Sequence, residues 1–167
     1  MVGFRIITKI TRPDKDLVAA FAALDTGQVS DGVGKLYTMD AGMRPVYADM
    51  PRIAGPAFTI RVPPGDNLMV HKAIHTAEPG DVLVVDAGGD TGYALVGGNV
   101  CAIAQQRGIA GIVADGVIRD VRESRERRFP IVARGIIPCP ADKKGPGEIN
   151  TAIMCGGVPV RPGDIIV

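Results

Sequence analysis

The sequence predicts a single α/β domain built around a parallel βαβ unit, and three observations support that prediction. The chain has 167 residues and 46% hydrophobic content, enough for one sizeable core. Two short apolar runs, residues 82–85 and 109–113, have the β-branched composition of buried strands. A helical pattern over residues 97–107 joins them, and such short links place the two strands parallel.

The segment before this unit is predicted to begin with a helix over residues 14–24, where apolar side chains recur on one face. Residues 26–34 form a loop or a short helix start, in which Ser30 and Asp31 are suited to cap a helix rather than to catalyse. Residues 39–52 are rich in proline, glycine and charge, which indicates a connection.

A strand over residues 57–62 and a helix over residues 67–76 are predicted next. The helix places His71 and His75 four residues apart, a spacing that can bind zinc. No glutamate follows His71 as it does in metalloproteases, and the sequence suggests no third ligand. We therefore favour a helix that faces solvent or another subunit.

After the central unit the sequence predicts only short elements. Residues 130–133 form a strand, residues 138–147 are rich in turns, and residues 157–166 form two strands around a Pro-Gly turn. Arg134 is expected at the start of a loop, where it serves either as a second anion contact or in a structural ion pair.

Composition argues against several functions. A net charge of +1 and an aromatic content of 4% provide neither a basic surface nor stacking platforms for nucleic acid. No apolar run reaches membrane-spanning length and the N-terminus has no signal-peptide pattern, so we expect a cytoplasmic protein. The three cysteines are widely spaced, which indicates reduced thiols, and Cys101 is expected to pack rather than to act as a nucleophile.

The first strand of the central unit is followed by a predicted loop, residues 88–98, which is dense in glycine and lets a ligand approach the main chain. The helix after it begins with the unpaired amides of Gly98, Asn99 and Val100, which suit a carboxylate or a phosphate. The loop has neither a P-loop nor a dinucleotide fingerprint, so a nucleotide is not expected.

The second strand is followed by Arg119, Asp120 and Glu123, at the sheet edge where ligands of open α/β sheets bind. If a helix begins near Arg119, Asp120 and Glu123 share one of its faces. Two carboxylates so placed can share one hard divalent cation, and the guanidinium can hold an anionic oxygen beside it. The pattern suits a metal-bound keto acid.

Gly98, twenty intervening residues, Arg119-Asp120, two more residues and Glu123 match the pattern G-x20-R-D-x2-E/D. In this the chain resembles the RraA-like family, relatives of the 4-hydroxy-4-methyl-2-oxoglutarate/4-carboxy-4-hydroxy-2-oxoadipate aldolases. Other family-like segments are TGQVSDGVG, GPAFTI, PGDNLMVHKAI, ARG and GGVPVRPGDIIV, so the resemblance covers nearly the whole chain.

The resemblance implies a swivelling β/β/α fold, a layered sandwich in one domain over residues 1–167. It also implies assembly as a homotrimer, or as a homohexamer formed from two trimers, with active sites at subunit interfaces. Family members usually continue beyond the position of Val167 through another strand and a C-terminal helical segment, and we expect this chain to lack that extension.

The resemblance also implies roles for individual residues. Arg119 corresponds to the substrate-binding, catalytic arginine, Asp120 to the ligand of a divalent cation, Mg²⁺ or Mn²⁺, and Glu123 to a second acidic group that supports the metal and catalysis. The gallate-pathway aldolases have an aspartate at the position of Gly98, and this chain resembles the other branch. The backbone that holds the substrate carboxylate corresponds to Gly97, Gly98, Asn99 and Val100.

The implied activity is that of a class II lyase that forms pyruvate from a small 2-oxo acid. It would cleave acids of the 4-hydroxy-4-methyl-2-oxoglutarate type or decarboxylate oxaloacetate through a pyruvate enolate bound to the metal. The alternative is a non-catalytic RraA-type protein that binds and inhibits ribonuclease E. Because Asp120 and Glu123 are both present, we favour the enzyme.

Overall fold

The two central apolar runs form neighbouring strands in the middle of a large mixed sheet. The computed structural model describes residues 4–167 of the chain. The strands are β1 (Phe4–Ile6), β2 (Arg44–Pro45), β3 (Gly55–Arg61), β4 (Val82–Val96), β5 (Gly111–Ile118), β6 (Ile131–Ile136), β7 (Gly147–Ile149), β8 (Ile153–Cys155), β9 (Val158–Val160) and β10 (Ile165–Ile166). The helices are α1 (Lys15–Ala22), α2 (Thr26–Gly32), α3 (Leu68–Ile74), α4 (Gly98–Gln106) and α5 (Val121–Glu126).

The large sheet has the order β1-β7-β3-β4-β5-β6-β2, and β10 pairs with β3 beside that path. Strands β3, β4, β5 and β6 are parallel to one another, whereas β7, β10 and β2 join them antiparallel. The short strands β8 and β9 form a separate antiparallel pair. The predicted parallel arrangement of the central unit is confirmed, since β4 and β5 are paired in parallel and α4 connects them.

The side-chain alternation of the central strands explains the layers. Leu83 and Val85 belong to a buried cluster that includes apolar residues of α3 and α4. Val82 and Val84, on the opposite face, pack with residues of the β8–β9 pair. Helices, large sheet and small sheet therefore form three layers, which agrees with the predicted β/β/α sandwich.

The predicted glycine loop is wrong, because residues 88–96 continue strand β4. Pairing with β5 persists, but its register shifts after Asp86 and again after Asp90 and Ala94. Gly88 and Gly89 have φ values of 64° and 74°, which only glycine adopts readily. The glycines thus allow an irregular strand to stay paired rather than form a free loop.

Helix α4 begins and ends close to the predicted residues. Val100 and Ala104 are buried on one face. Gly108, with φ of 74°, follows the last turn, and the amide of Ile109 donates to the Ala104 carbonyl at 3.0 Å. No helix within residues 4–167 is long and apolar enough to cross a bilayer.

The predicted cap at Ser30 and Asp31 is wrong. Both residues lie within α2, and the helix is capped instead by Asp25, whose side chain and that of Gln28 form a reciprocal capping box. The Ser30 hydroxyl hydrogen-bonds the Thr38 hydroxyl at 2.6 Å. The earlier helix agrees with its prediction, since α1 lies within residues 14–24.

Two further expectations need correction. Arg134 is part of strand β6 rather than the start of a loop, and it pairs with Asp115 and Asp40, which supports the structural alternative. Helix α3 does not simply face solvent or a subunit. Its buried side packs into the core through Met69, Val70, Ala73 and Ile74.

Candidate active site

The carboxyl ends of β4 and β5 bring the two halves of the sequence motif together. Val96 and Ile118 are register partners at the ends of these strands. The next residue, Arg119, donates its amide to the Val96 carbonyl at 2.9 Å. Because β4 leads directly into α4 and β5 into α5, the beginnings of both helices meet at this sheet edge, as predicted.

Asp120 lies at the turn between β5 and α5 in an unusual backbone conformation. It is the N-cap residue, with φ of 58° and ψ of 40° in the left-handed region. Helix α5 thus begins near Arg119 as expected, at Val121, but Asp120 precedes it as the N-cap. The predicted helix face shared by Asp120 and Glu123 therefore does not form. Such backbone strain is tolerated by aspartate and is common at functional sites.

The conformation of Asp120 turns its carboxylate toward the start of α4. Oδ2 accepts a hydrogen bond from the Gly98 amide at 2.9 Å and lies 3.4 Å from Nε of Arg119. Both side chains remain partly exposed, at 42% for Arg119 and 38% for Asp120. Asp120 thus connects two helix starts while staying accessible to a ligand.

Glu123 reaches the same turn from the first turn of α5. A Cβ placed on Gly98 would overlap its carboxylate and lie 2.6 Å from its Cδ. A Cβ on Gly97 would lie 2.6 Å from Oδ2 of Asp120 and 3.0 Å from Nε of Arg119. The two glycines therefore leave the space that the three motif side chains occupy.

Backbone amides at the start of α4 complete this side of the site. The helix begins after Gly97, and the amide of Cys101 donates to the Gly97 carbonyl at 3.1 Å. Asn99 and Val100 come before Cys101 in the chain, so the helix has no carbonyl one turn earlier to which their amides could donate. The Gly98 amide, which we expected to be free for an anion, is already bound by Asp120.

A small cavity of about 100 Å³ opens beside these groups. Because pockets for drug-sized ligands typically measure about 300 to 1,000 Å³, this cavity suits a small group such as the reacting end of an acid. Its lining includes five of the seven predicted site residues, and Gly98 and Glu123 lie outside it. The predicted residues in the lining are Gly97, Asn99, Val100, Arg119 and Asp120.

The cavity is also lined by Asn67, His71 and Lys143, which no sequence motif indicated as site residues. From the sequence we favoured a helix facing solvent or another subunit over a zinc pair for His71 and His75, and neither interpretation placed His71 in this site. Burial lowers the pKa of His71, and the nearby charges of Lys143 and His75 lower it further. The signal in the sequence was the segment PGDNLMVHKAI, which resembles the family but contributes no residue to the motif.

The donor set fits a hard divalent cation. Within residues 4–167 no group of three or more His, Cys, Asp or Glu side chains could hold a metal ion. The motif supplies two carboxylates, Asp120 and Glu123, and Mg²⁺ characteristically uses one or two protein carboxylates together with water and substrate oxygens. The residues present therefore suit a cation that is shared with a ligand rather than enclosed by protein.

Cys101 has no catalytic environment despite its place in the first turn of α4. It is fully buried, and burial raises its pKa to about 11. Its sulfur accepts a hydrogen bond from the Ser124 hydroxyl at 3.4 Å, so it packs α4 against α5. This geometry agrees with the packing role that we expected.

A larger cavity, of about 1060 Å³, is present elsewhere. It lies between the segment around α2 and the strands β9 and β10, and no residue of the motif lines it. Its lining is mainly apolar, although two aspartates and two arginines also line it. The small cavity is the candidate active site because Arg119 and Asp120 of the motif line it.

Comparison with known proteins gives consistent likenesses. A family model described as RraA-like, Aldolase/RraA, matches residues 26–167. A Halalkalibacterium halodurans protein with the assigned name 4-hydroxy-4-methyl-2-oxoglutarate aldolase is 42% identical over 158 residues, 95% of this chain and 75% of that protein. The structure of the RNA-processing inhibitor RraA from Thermus thermophilis has a TM-score of 0.77 at 32% identity, with 85% of each chain covered. An unusual member of the RNase ES inhibitor RraA protein family from Streptomyces coelicolor has a TM-score of 0.81 at 29% identity, covering 94% of this chain and 82% of that chain.

Proposed function

The chain belongs to the RraA-like family, and from this premise we propose that it is a divalent-metal-dependent lyase that forms pyruvate. The proposed substrates are 4-hydroxy-2-oxo acids of the 4-hydroxy-4-methyl-2-oxoglutarate type, oxaloacetate, or both. The relative from Halalkalibacterium halodurans, named as an aldolase for such an acid, supports the substrate class. Mg²⁺ or Mn²⁺ is the proposed cofactor.

The observation that carries this proposal is the meeting of three motif side chains at one turn. Arg119 and Asp120 flank Gly97, and the Glu123 carboxylate lies beside Gly98. The Arg119 guanidinium and the two carboxylates surround the unpaired amides of Asn99 and Val100. Together these groups form a site that can bind both a metal ion and an anionic substrate.

The reaction requires that electrons released from one carbon–carbon bond be stabilised. In aldol cleavage the C3–C4 bond breaks, the C4 hydroxyl loses its proton and becomes a carbonyl, and the electron pair forms an enolate that is protonated at C3 to give pyruvate. In decarboxylation the same enolate forms as carbon dioxide leaves. When bound, a divalent cation would supply Lewis acidity toward the keto and carboxylate oxygens.

The chain's own residues have separate tasks in this scheme. The amides of Asn99 and Val100 bind the substrate carboxylate, and Asp120 orients the ligand-binding turn through its bond to Gly98. The Arg119 guanidinium stabilises the developing oxyanion. Glu123 accepts the C4 hydroxyl proton, directly or through a water, which is a step that decarboxylation does not need.

Pyruvate production from oxaloacetate and from 4-hydroxy-4-methyl-2-oxoglutarate, with and without Mg²⁺, tests the proposal. We expect activity that depends on the metal, is abolished by a chelator, and is inhibited by oxalate, which mimics the enolate. Glu123→Gln should reduce aldol cleavage more than decarboxylation. Purified protein that converts neither substrate in the presence of Mg²⁺ or Mn²⁺ would refute the proposed activity.

A second candidate function is inhibition of ribonuclease E. It is favoured by the two structural relatives whose names describe an RNA-processing inhibitor and an RNase ES inhibitor family. Addition of the purified chain to a ribonuclease E cleavage assay tests this directly. Equal inhibition by the wild type and by Asp120→Asn, without lyase activity in either, would favour the regulator over the enzyme.

A further inference from the structure

Two small polar side chains meet in the interior directly behind the motif, where α4 packs against α5. Cys101 and Ser124 are both fully buried, and each is the fourth residue of its helix. The Ser124 hydroxyl donates to the Cys101 sulfur at 3.4 Å. Because burial raises the pKa of Cys101 to about 11, its thiol stays neutral at neutral pH and adds no charge behind the site. The contact joins the two helices whose starts carry the motif.

This contact closes a ring of hydrogen bonds around the two helix starts. On α4, the Cys101 amide donates to the Gly97 carbonyl at 3.1 Å. On α5, the Ser124 amide donates to the Asp120 carbonyl at 3.3 Å, and the Ser124 hydroxyl lies 3.5 Å from the same oxygen. Between the two starts, the Gly98 amide donates to the Asp120 carboxylate at 2.9 Å. The ring therefore has two cross-links between the helices, one at the site and one in the interior.

The backbone of Asp120 depends on such support. Its φ of 58° and ψ of 40° lie in the left-handed region, and a strained conformation of this kind persists only where the surrounding structure holds it. The Asp120 side chain is 38% exposed, so water competes for its bond to Gly98. The buried contact between Ser124 and Cys101 is shielded from water, and it does not require the Asp120 carboxylate to face α4.

Stability alone gives little reason for a serine at this position. The two helices pack within an apolar cluster that includes Val100, Ala104 and Phe129. A thiol is a weak hydrogen-bond acceptor, and a buried hydroxyl has a desolvation cost that a methyl group avoids. We therefore expect alanine at position 124 to pack with little loss of stability.

We propose that Ser124 is a positioning residue, which acts through Cys101 and through the Asp120 backbone to fix the place of the Asp120 carboxylate. This inference rests on the proposed function, in which Asp120 binds the metal. Without the hydroxyl the strained turn can relax and its carboxylate can move, while the amides that bind the substrate carboxylate stay in place. The variant should therefore bind the metal less tightly and turn over more slowly, with little change in KM.

The experiment compares Ser124→Ala with Thr59→Val, which removes a buried hydroxyl elsewhere. Thr59 is fully buried in β3, and its hydroxyl donates to the Thr151 carbonyl at 2.6 Å. Alternation along β3 places Thr59 on the same face as Ala57, which packs toward the β8–β9 pair and away from the helices. Because its hydrogen bond is shorter, Thr59→Val should lower the urea midpoint more than Ser124→Ala does. It should leave Mn²⁺ affinity and kcat unchanged.

Ser124→Ala should weaken Mn²⁺ binding about tenfold, measured by electron paramagnetic resonance without substrate, because groups that orient a metal ligand typically contribute roughly 10- to 100-fold. At saturating Mg²⁺, kcat for oxaloacetate decarboxylation should fall by about the same factor, while KM changes less than about twofold. The double variant Ser124→Cys with Cys101→Ser keeps one hydroxyl and one sulfur between the helices. It should recover Mn²⁺ affinity to within about threefold of the wild type.

Each alternative result has a distinct meaning. Equal Mn²⁺ affinity and kcat in the wild type and Ser124→Ala would overturn the inference and leave the proposed lyase intact. Equal losses in Ser124→Ala and Thr59→Val would also overturn it, because the effect would then follow from stability. A double variant that binds Mn²⁺ no better than Ser124→Ala would exclude the contact with Cys101 as the cause. A wild-type protein that neither binds Mn²⁺ nor forms pyruvate would refute the proposed function itself, and with it this role of Ser124.

Discussion

At the scale of single residues, the site depends on the absence of a side chain at position 98, which is a glycine. The φ of Gly98 lies outside the left-handed region, so its backbone does not itself require glycine. What requires glycine is the Glu123 carboxylate, which occupies the place of a Cβ. A carboxylate from α5 therefore fills the space beside position 98.

Gly98→Ala should therefore reduce lyase activity without unfolding the protein. The added methyl group must displace Glu123 or the start of α4, and a displacement of about 1 Å at a reacting group can cost on the order of a hundredfold in rate. Gly27→Ala is the control, because Gly27 lies in α2 with nothing within 4 Å of its Cβ position. Steady-state kinetics check the rates, and equal activity in both variants would contradict the proposed place of Glu123.

Arg119 is the residue whose loss should affect turnover most directly. Arg119→Gln removes the guanidinium that faces the developing oxyanion, so we expect kcat for oxaloacetate decarboxylation to fall on the order of a hundredfold or more. Arg122→Gln is the control, since Arg122 is 88% exposed and its ion pair among the described residues 4–167 is with Glu126, at 3.6 Å. A similar kcat for both variants would show that Arg119 has no part in the chemistry.

At the scale of elements, the prediction of local structure was most accurate where apolar residues alternate or recur regularly. The beginning of β4, the whole of α4 and the beginning of β5 follow that pattern, and the structure confirms them. The glycine-rich half of β4 was assigned to a loop because glycine usually interrupts a strand. This half of β4 stays paired with β5 through shifts in register. Those shifts depend on β5, so the sequence of β4 alone does not reveal them.

The start of α5 shows a second limit of sequence reasoning at this scale. The motif spacing indicated that Arg119, Asp120 and Glu123 come together, and they do lie beside Gly97 and Gly98, but spacing did not indicate how they meet. A helix through all three would have put two carboxylates on one face. The left-handed conformation of Asp120 instead turns its carboxylate to a different helix. Spacing alone cannot reveal a backbone conformation that the surrounding structure imposes.

Strand β6 contributes stability through Arg134. Its guanidinium hydrogen-bonds the Asp115 carboxylate on β5 and reaches Asp40 at 2.9 and 3.1 Å. The Asp115 side chain is only 8% exposed, so removal of its partner leaves a nearly buried charge. Arg134→Met should lower the free energy of unfolding by about 2 to 3 kcal/mol, below the full value for a deeply buried pair because Arg134 is partly exposed. Urea denaturation measures this, with Arg122→Met as the control, and an unchanged midpoint would contradict it.

The same network predicts a pH dependence. Hydrogen bonds from Arg134, and then from the Gly42 amide, lower the pKa of Asp40 below its usual value. A carboxyl with a lower pKa in the folded state contributes stability above its unfolded pKa, near 4, and loses it as the pH falls through the folded value. At a pH below the folded pKa of Asp40, the contribution of Asp40 to the difference in unfolding free energy between the wild type and Arg134→Met should therefore disappear.

At the scale of the whole molecule, the N-terminal third is the part least explained by a single chain. No residue between positions 4 and 52 is buried, although the segment contains two helices. Leu36 and Tyr37 are 72% and 62% exposed, and the large apolar cavity lies against this segment. Apolar surface of this extent is typical of an interface. We propose that a second copy of the chain covers it.

The predicted assembly is a trimer or a dimer of trimers. Light scattering after size-exclusion chromatography should give three or six times the 17.5 kDa of one chain. The physical reason is that burial of the exposed face of α1 and of residues 33–37 would remove apolar surface from water. A monodisperse 17.5 kDa species at micromolar concentration would contradict this prediction.

The fold class could be predicted from the sequence, but the pairing of all the strands could not. The order of apolar runs indicated a parallel centre, and the resemblance supplied the layered sandwich that the structure and its relatives confirm. The strands β1 and β7 pair across the whole length of the chain, so no local pattern could have revealed them. For the same reason Asn67 and Lys143 were missed, because only the fold brings them to the motif.

The most direct test of the site is the binding of Mn²⁺, followed by electron paramagnetic resonance, with and without oxalate. If Asp120 and Glu123 share a cation with a two-oxygen ligand, oxalate should tighten Mn²⁺ binding to the wild type. Asp120→Asn preserves the shape of the side chain but removes its charge, and should weaken Mn²⁺ binding at least about tenfold. Equal Mn²⁺ affinity in the wild type and Asp120→Asn, unaffected by oxalate, would contradict the proposed site.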